Sequence, residues 1–190
     1  MPQTQKFVFK GSRYYVQGTS LFNAVVDAAK KEGCVEGTLN ISFKRMVHNP
    51  LCVIEKRAPG TEDAVVAKIS CEGGSPFVLT VNEALETDET EREEFDEPEV
   101  CRSAVTGDKR ITQDQPHHND LIELLVSLCK KMHQECVDSS KKWVFSRYDG
   151  QFPIPEPKKI ELIISKQVGT RLTCSDVLIN GEKIGDIYFS

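Results

Sequence analysis

No apolar run in this chain reaches the roughly 18–20 residues that a membrane-spanning helix needs, so no membrane partner is expected. No hydrophobic stretch follows the N-terminal Met-Pro-Gln-Thr-Gln-Lys, so an export signal is not expected either. The seven cysteines (Cys34, Cys52, Cys71, Cys101, Cys129, Cys136 and Cys174) are odd in number and contain no Cys-x-x-Cys pair. That pattern argues against a disulfide framework and against a zinc site, and it fits a reducing cytoplasm. Most of these cysteines sit in apolar strand or helix patterns, where a free thiol behaves as a small hydrophobe. Gly-x-Ser-x-Gly, Gly-x-x-x-x-Gly-Lys and a dinucleotide fingerprint are all missing. No metal or cofactor is therefore expected. Basic residues are scattered without an aromatic-basic stripe, which excludes nucleic acid as the expected partner.

What is present is ordinary in bulk and uneven in detail. With 190 residues, 39% hydrophobic and 28% charged, the chain fits one large globular domain or two small fused ones. Its net charge of −5 hides a segment, residues 83–99, with ten acidic side chains against Arg92 alone. The remainder is mildly basic, which suits an anionic ligand such as a phosphopantetheine or CoA thioester. The acidic stretch repels itself and has little apolar surface, so it reads as a solvated linker.

On either side of that stretch the chain repeats one pattern. A nearly all-apolar helix precedes a Phe-x-Arg strand, and further strands follow. In the first half these are Ser20–Lys31, Phe43-Lys44-Arg45, and segments near 51–57, 64–72 and 77–83. In the second they are Asn119–Gln134, Phe145-Ser146-Arg147, and segments near 159–167, 171–180 and 183–189. A helix apolar on almost every face must be covered by other structure. The expectation is an α+β protein, with a first repeat over 1–84, an acidic linker over 85–99 and a second repeat over 100–190. Phe7–Phe9 and Arg13–Val16 flank Gly11 as a short hairpin or bent strand, and Thr19 or Ser20 would cap the first helix. Gln151–Pro157 is too rich in proline for a central strand, whereas Asn180-Gly181 signals a tight hairpin.

Both helices carry one polar stripe of i, i+4 spacing: Asn23 and Asp27 in the first, Glu123 and Ser127 in the second. Such a stripe either faces a cleft, where a carboxylate serves as a base, or lines a solvated edge. His117-His118-Asn119-Asp120 is the densest cluster of chemically useful side chains. A histidine there exchanges protons near neutral pH, beside free helix amides that polarise a carbonyl. Simple capping by Asn119 or Asp120 is the alternative. His48 and His133 read as structural.

The layout of strand, central helix and strands, given twice, resembles the double form of the hotdog superfamily. Tyr15 to Phe22 through Phe43 to Val47 is similar to that family's loop, helix and first long strand. His117-His118-Asn119-Asp120 is similar to the His-x-Asn-Asn helix start of some hotdog acyl-CoA thioesterases, with Asp120 in place of the second Asn. The family's following aromatic is absent from Ile122–Leu125. The resemblance implies two central helices wrapped by antiparallel sheet, and acyl thioesters of CoA or acyl carrier protein as ligands. It implies a thioesterase of fatty-acid or polyketide metabolism, with a 3-hydroxyacyl dehydratase or a non-catalytic acyl-binding module as alternatives. Glu123 or Asp27 would be the general base toward water, with His118 or Asn119 positioning the substrate; in the dehydratase, His118 and a carboxylate would exchange the protons. Gly18, Ser20, Asn23, His117, Asn119 and Asp120 would hold the substrate. A tandem hotdog already contains a pair of units, so a monomer suffices and a homodimer through a sheet edge is the alternative.

Overall fold

The computed structural model describes residues 2–87, 89–116, 118, 120–138 and 140–190. It divides into two compact units, Met1–Phe95 and Asp96–Ser190, and the division falls inside the acidic stretch.

In the first unit the order is β1 (Gln3–Lys6), β2 (Phe9–Lys10), α1 (Gly18–Lys31), β3 (Gly37–Phe43), β4 (Leu51–Lys56), β5 (Val65–Cys71), β6 (Phe77–Glu83) and β7 (Arg92–Glu93). Five of these strands pair antiparallel in the order β1-β4-β6-β5-β3. Alternation sets the inner face: Leu39, Ile41, Cys52, Ile54, Ala67, Ile69, Leu79 and Val81 are buried. Helix α1 buries Leu21, Phe22, Val25, Ala28 and Ala29 and packs on β6. It starts earlier than its sequence suggests. Gln17, not Thr19 or Ser20, is the N-cap, and Thr19 sits inside the first turn with its hydroxyl 3.3 Å from Gln17 Oε1.

The expected hairpin around Gly11 does not form. Residues 3–6 pair with β4 instead, and Arg13–Val16 is not a strand. Phe9–Lys10 pairs in parallel with Arg92–Glu93 of the acidic stretch. Ion pairs hold that return: Lys6 to Glu91 at 2.8 Å and Lys10 to Glu93 at 3.4 Å, with Arg13 facing the Phe95 ring. The cysteine pattern argued against a disulfide framework, and one disulfide is nevertheless present. Cys34, just past α1, and Cys71, at the end of β5, form a disulfide. Their 37-residue separation gives no pairing signal; the fold brings them together.

The second unit contains α2 (Glu97–Val100), β8 (Val105–Gly107), β9 (Arg110–Asp114), α3 (Leu121–Cys136), β10 (Phe145–Phe152), β11 (Lys159–Val168), β12 (Leu172–Ile179) and β13 (Glu182–Phe189). All six strands are antiparallel in the order β10-β13-β12-β11-β9-β8. Asn180 and Gly181, with φ of 55° and 88°, make the two-residue turn between β12 and β13. Gly150 and Gly185 pair across β10 and β13 so closely that a Cβ on either would lie 2.6 Å from a backbone oxygen opposite. Strand β10 runs on to Phe152, into the Gln151–Pro157 segment that its prolines argued against as a central strand, and ends at a cis Phe152–Pro153 bond. Helix α3 packs on β8, β9 and β11. His133 is fully buried against this sheet, with Nε2 2.5 Å from Thr173 Oγ1 and its ring between Trp143 and Phe189.

Candidate functional site

Strand β9 ends at Asp114, and Gln115 adopts a positive φ of 47° while its N–H donates to the Lys158 carbonyl. That bend turns the chain into α3. Asp120 is the N-cap: its Oδ1 accepts from the Glu123 N–H at 3.1 Å, and its carbonyl accepts from Leu124. Capping fixes the first turn and with it the Glu123 side chain, whose exposure is 6%. Glu123 Oε1 lies 3.0 Å from Nε2 of His118, which is 25% exposed.

The dyad has a direction. A carboxylate only accepts, so Nε2 of His118 donates, and in the neutral ring Nδ1 then holds the lone pair. Glu123 is the more buried member and His118 the more exposed one. The Leu121 and Ile122 amides, in the first turn of α3, have no partner within the helix and can polarise a carbonyl.

Three sequence-selected residues, His118, Asp120 and Glu123, thus meet at one helix start in the second unit. His117 and Asn119 lie outside the described residues. Gly18, Ser20, Asn23 and Asp27 share α1 in the first unit. Gly18 and Ser20 are half-buried in its first turn, and Asn23 is half-buried farther along. Asp27 is solvent-facing, with a side-chain exposure of 66% and Lys30 3.4 Å away. That surroundings is one of a surface carboxylate, not of a buried base.

Ser127 was visible in the sequence only as the second member of the stripe. It is buried, and its Oγ has no hydrogen-bond partner among the described residues. The cysteines offer no nucleophile at this site. Burial pushes the Cys52 thiol up to about 12 and Cys101 to about 11, and it raises buried Cys129 further still. Among the described residues no cluster of three or more His, Cys, Asp or Glu side chains could hold a metal. No helix among them is long and apolar enough to cross a membrane.

No family model matches the chain, and no curated protein matches it in sequence. Solved structures do match in three dimensions. The tesB protein of Mycobacterium avium subs paratuberculosis aligns with a TM-score of 0.53 at 8% identity, over 99% of this chain and 90% of that one. The dehydratase domain of PpsC from Mycobacterium tuberculosis, solved with C12:1-CoA, gives 0.52 at 10% identity, over 100% and 92%. A protein from Novosphingobium aromaticivorans assigned as a thioesterase gives 0.50 at 9% identity, over 99% and 93%. These are hotdog-fold proteins, and the chain has the hotdog fold.

Proposed function

We propose that this chain processes acyl thioesters, most concretely as a thioesterase acting on acyl-CoA or acyl-carrier-protein substrates. We further read its two units as the repeats of a double hotdog, each built round one long helix. The observation that carries the functional reading is the 3.0 Å contact between His118 Nε2 and Glu123 Oε1 at the capped start of α3. Glu123, the more deeply buried partner, orients the imidazole and stabilises its charged form. His118 Nδ1 takes a proton from water as the oxygen attacks the thioester carbonyl. The resulting oxyanion accepts hydrogen bonds from the Leu121 and Ile122 amides. Collapse breaks the C–S bond, and the imidazolium returns the proton to the leaving thiolate. These roles differ from the sequence-based expectation, in which Glu123 or Asp27 was the base and His118 or Asn119 positioned the substrate.

Support for the substrate class comes from the fold, since a dehydratase of the same fold was solved holding C12:1-CoA. That neighbour also motivates a second reading, hydration of a 2-enoyl thioester, because the dyad can equally remove and return a proton at carbon. Purified protein assayed against a panel of acyl-CoAs tests the first reading. The expected outcome is hydrolysis that falls about 10²–10⁴-fold in His118→Ala. Reversible hydration of an enoyl-CoA without hydrolysis selects the second. Thermal stabilisation by acyl-CoA with neither reaction leaves a binding module and ends both enzymatic readings.

A further inference from the structure

Two neighbouring hairpins of the second unit end differently. The β12–β13 turn is polar, built from Asn180, Gly181 and Glu182. At the β11–β12 turn the last paired residues are Val168 and Leu172, directly opposite each other and 62% and 39% exposed. Gly169, with φ of 53°, helps close this turn, and the Arg171 N–H donates to the Val168 carbonyl at 3.0 Å. Strand alternation puts Gln167 and its partner Thr173 on the face where Thr173 meets His133 of α3. Lys166, Val168 and Leu172 therefore share the opposite face, away from that helix. Three cations surround the tip. Lys166 adjoins Val168 and Arg171 stands in the turn; neither forms an ion pair with a described residue. Lys141 reaches the turn from beyond α3, its Nζ donating to the Thr170 carbonyl and, at 3.3 Å, to that of Arg171. Asp138 stands near Lys141, but its Oδ1 accepts from the Ser140 N–H and hydroxyl.

We propose that the β11–β12 tip docks on an anionic lipid surface, with Val168 and Leu172 entering the boundary between headgroups and acyl chains and Lys166, Arg171 and Lys141 meeting the anionic headgroups. Size and charge choose this occupant. Two aliphatic side chains fall far short of the ~800 Å² per partner that a stable protein interface buries. A second copy of the chain would bring the same cations against these. A lipid interface requires no matching shape: it takes up a small apolar tip and draws in the flanking cations. The net charge of the chain is −5, so attraction to an anionic surface must come from this local group. Such docking needs no spanning helix, and it is independent of the acyl-thioester reading.

Co-sedimentation with vesicles tests this. The protein is mixed at low salt with phosphatidylcholine vesicles, either pure or containing about 30% phosphatidylserine. Wild type is compared with the double variants Val168→Ser/Leu172→Ser and Lys166→Gln/Arg171→Gln, each shown to fold by its unfolding curve. Wild type is expected to bind the anionic vesicles at least about 25-fold more tightly than the neutral ones, and salt at about 0.5 M should remove the difference. At about fivefold per cation, the glutamine pair should weaken anionic binding about 25-fold. The serine pair should weaken it at least about fivefold. The glutamine pair leaves the Val168–Leu172 pairing intact, so its result stands even if the serine pair loosens the hairpin. No association of wild type with anionic vesicles overturns the proposal, as does binding that neither double variant alters. Binding that the serine pair retains in full overturns insertion of the tip. A dimer of the free protein that the serine pair disperses assigns the tip to a second copy and overturns the proposal too.

Discussion

Burial acts in opposite senses on Asp63 and His133; hydrogen bonding overrides it at Asp63, whereas burial prevails at His133. The Asp63 side chain is 1% exposed, and burial alone would raise its pKa. Arg57 at 2.5 Å, Asn82 Nδ2 at 2.6 Å and the Gly60 N–H at 2.6 Å override that and hold the carboxyl at about 2. A depressed acid stabilises the fold above its unfolded pKa of 3.8, and that contribution disappears as pH falls through about 2. Asp63→Asn is expected to lose about 3 kcal/mol at neutral pH and to flatten the acid limb of Tm between pH 4 and 2. His133 is the converse. Burial lowers its pKa below 6.5, so the ring stays neutral in the fold while the unfolded chain binds the proton more readily. Stability is therefore unaffected above about pH 6.5 and falls as pH drops below it. Thermal unfolding followed from pH 7.5 to 5 should show that slope in wild type and lose it in His133→Gln; an unchanged slope would show that His133 is not its source.

The Cys34–Cys71 disulfide ties the end of α1 to the end of β5. Closing 37 residues is worth about 4 kcal/mol in the chain-entropy account. Reduction, or Cys71→Ser, should lower the first unit's stability by roughly that amount in a denaturant titration, and Cys71→Ser should show no further dependence on reductant. No shift on reduction would mean that the pair does not stabilise the fold. Elements with local signals were legible in the sequence. Helix α3 has an apolar run and an Asp120 cap, the β12–β13 hairpin has Asn-Gly, and the strands from β3 to β6 are separated by turn clusters. The two-residue parallel pair β2–β7 carries no such signal, because it joins residues about 80 positions apart through surface ion pairs. The start of α1 was misjudged for a related reason: Thr19 and Ser20 look like caps, yet packing carries the helix back to Gly18.

Over the whole chain, the hotdog fold was readable from its layout even though identity to the matching structures is only 8–10%. Periodicity survives when residue identities do not, because burial constrains polarity far more than it constrains the side chain chosen. The candidate site was half legible. His118, Asp120 and Glu123 sit close in sequence and could be found as a cluster, but the stripe gave no sign that Asp27 is solvated while Glu123 is buried. That difference is set by what packs on each helix, which no local spacing encodes. Nor could spacing reveal which member of the dyad is the more exposed. The most direct measurement is kcat/KM for acyl-CoA hydrolysis by wild type and Glu123→Gln, with both proteins shown to be folded. A rate at least 100-fold lower in the variant is predicted, since Gln keeps the size of Glu but cannot stabilise the imidazolium. Equal rates, or no acyl-thioester turnover by wild type, would contradict the account.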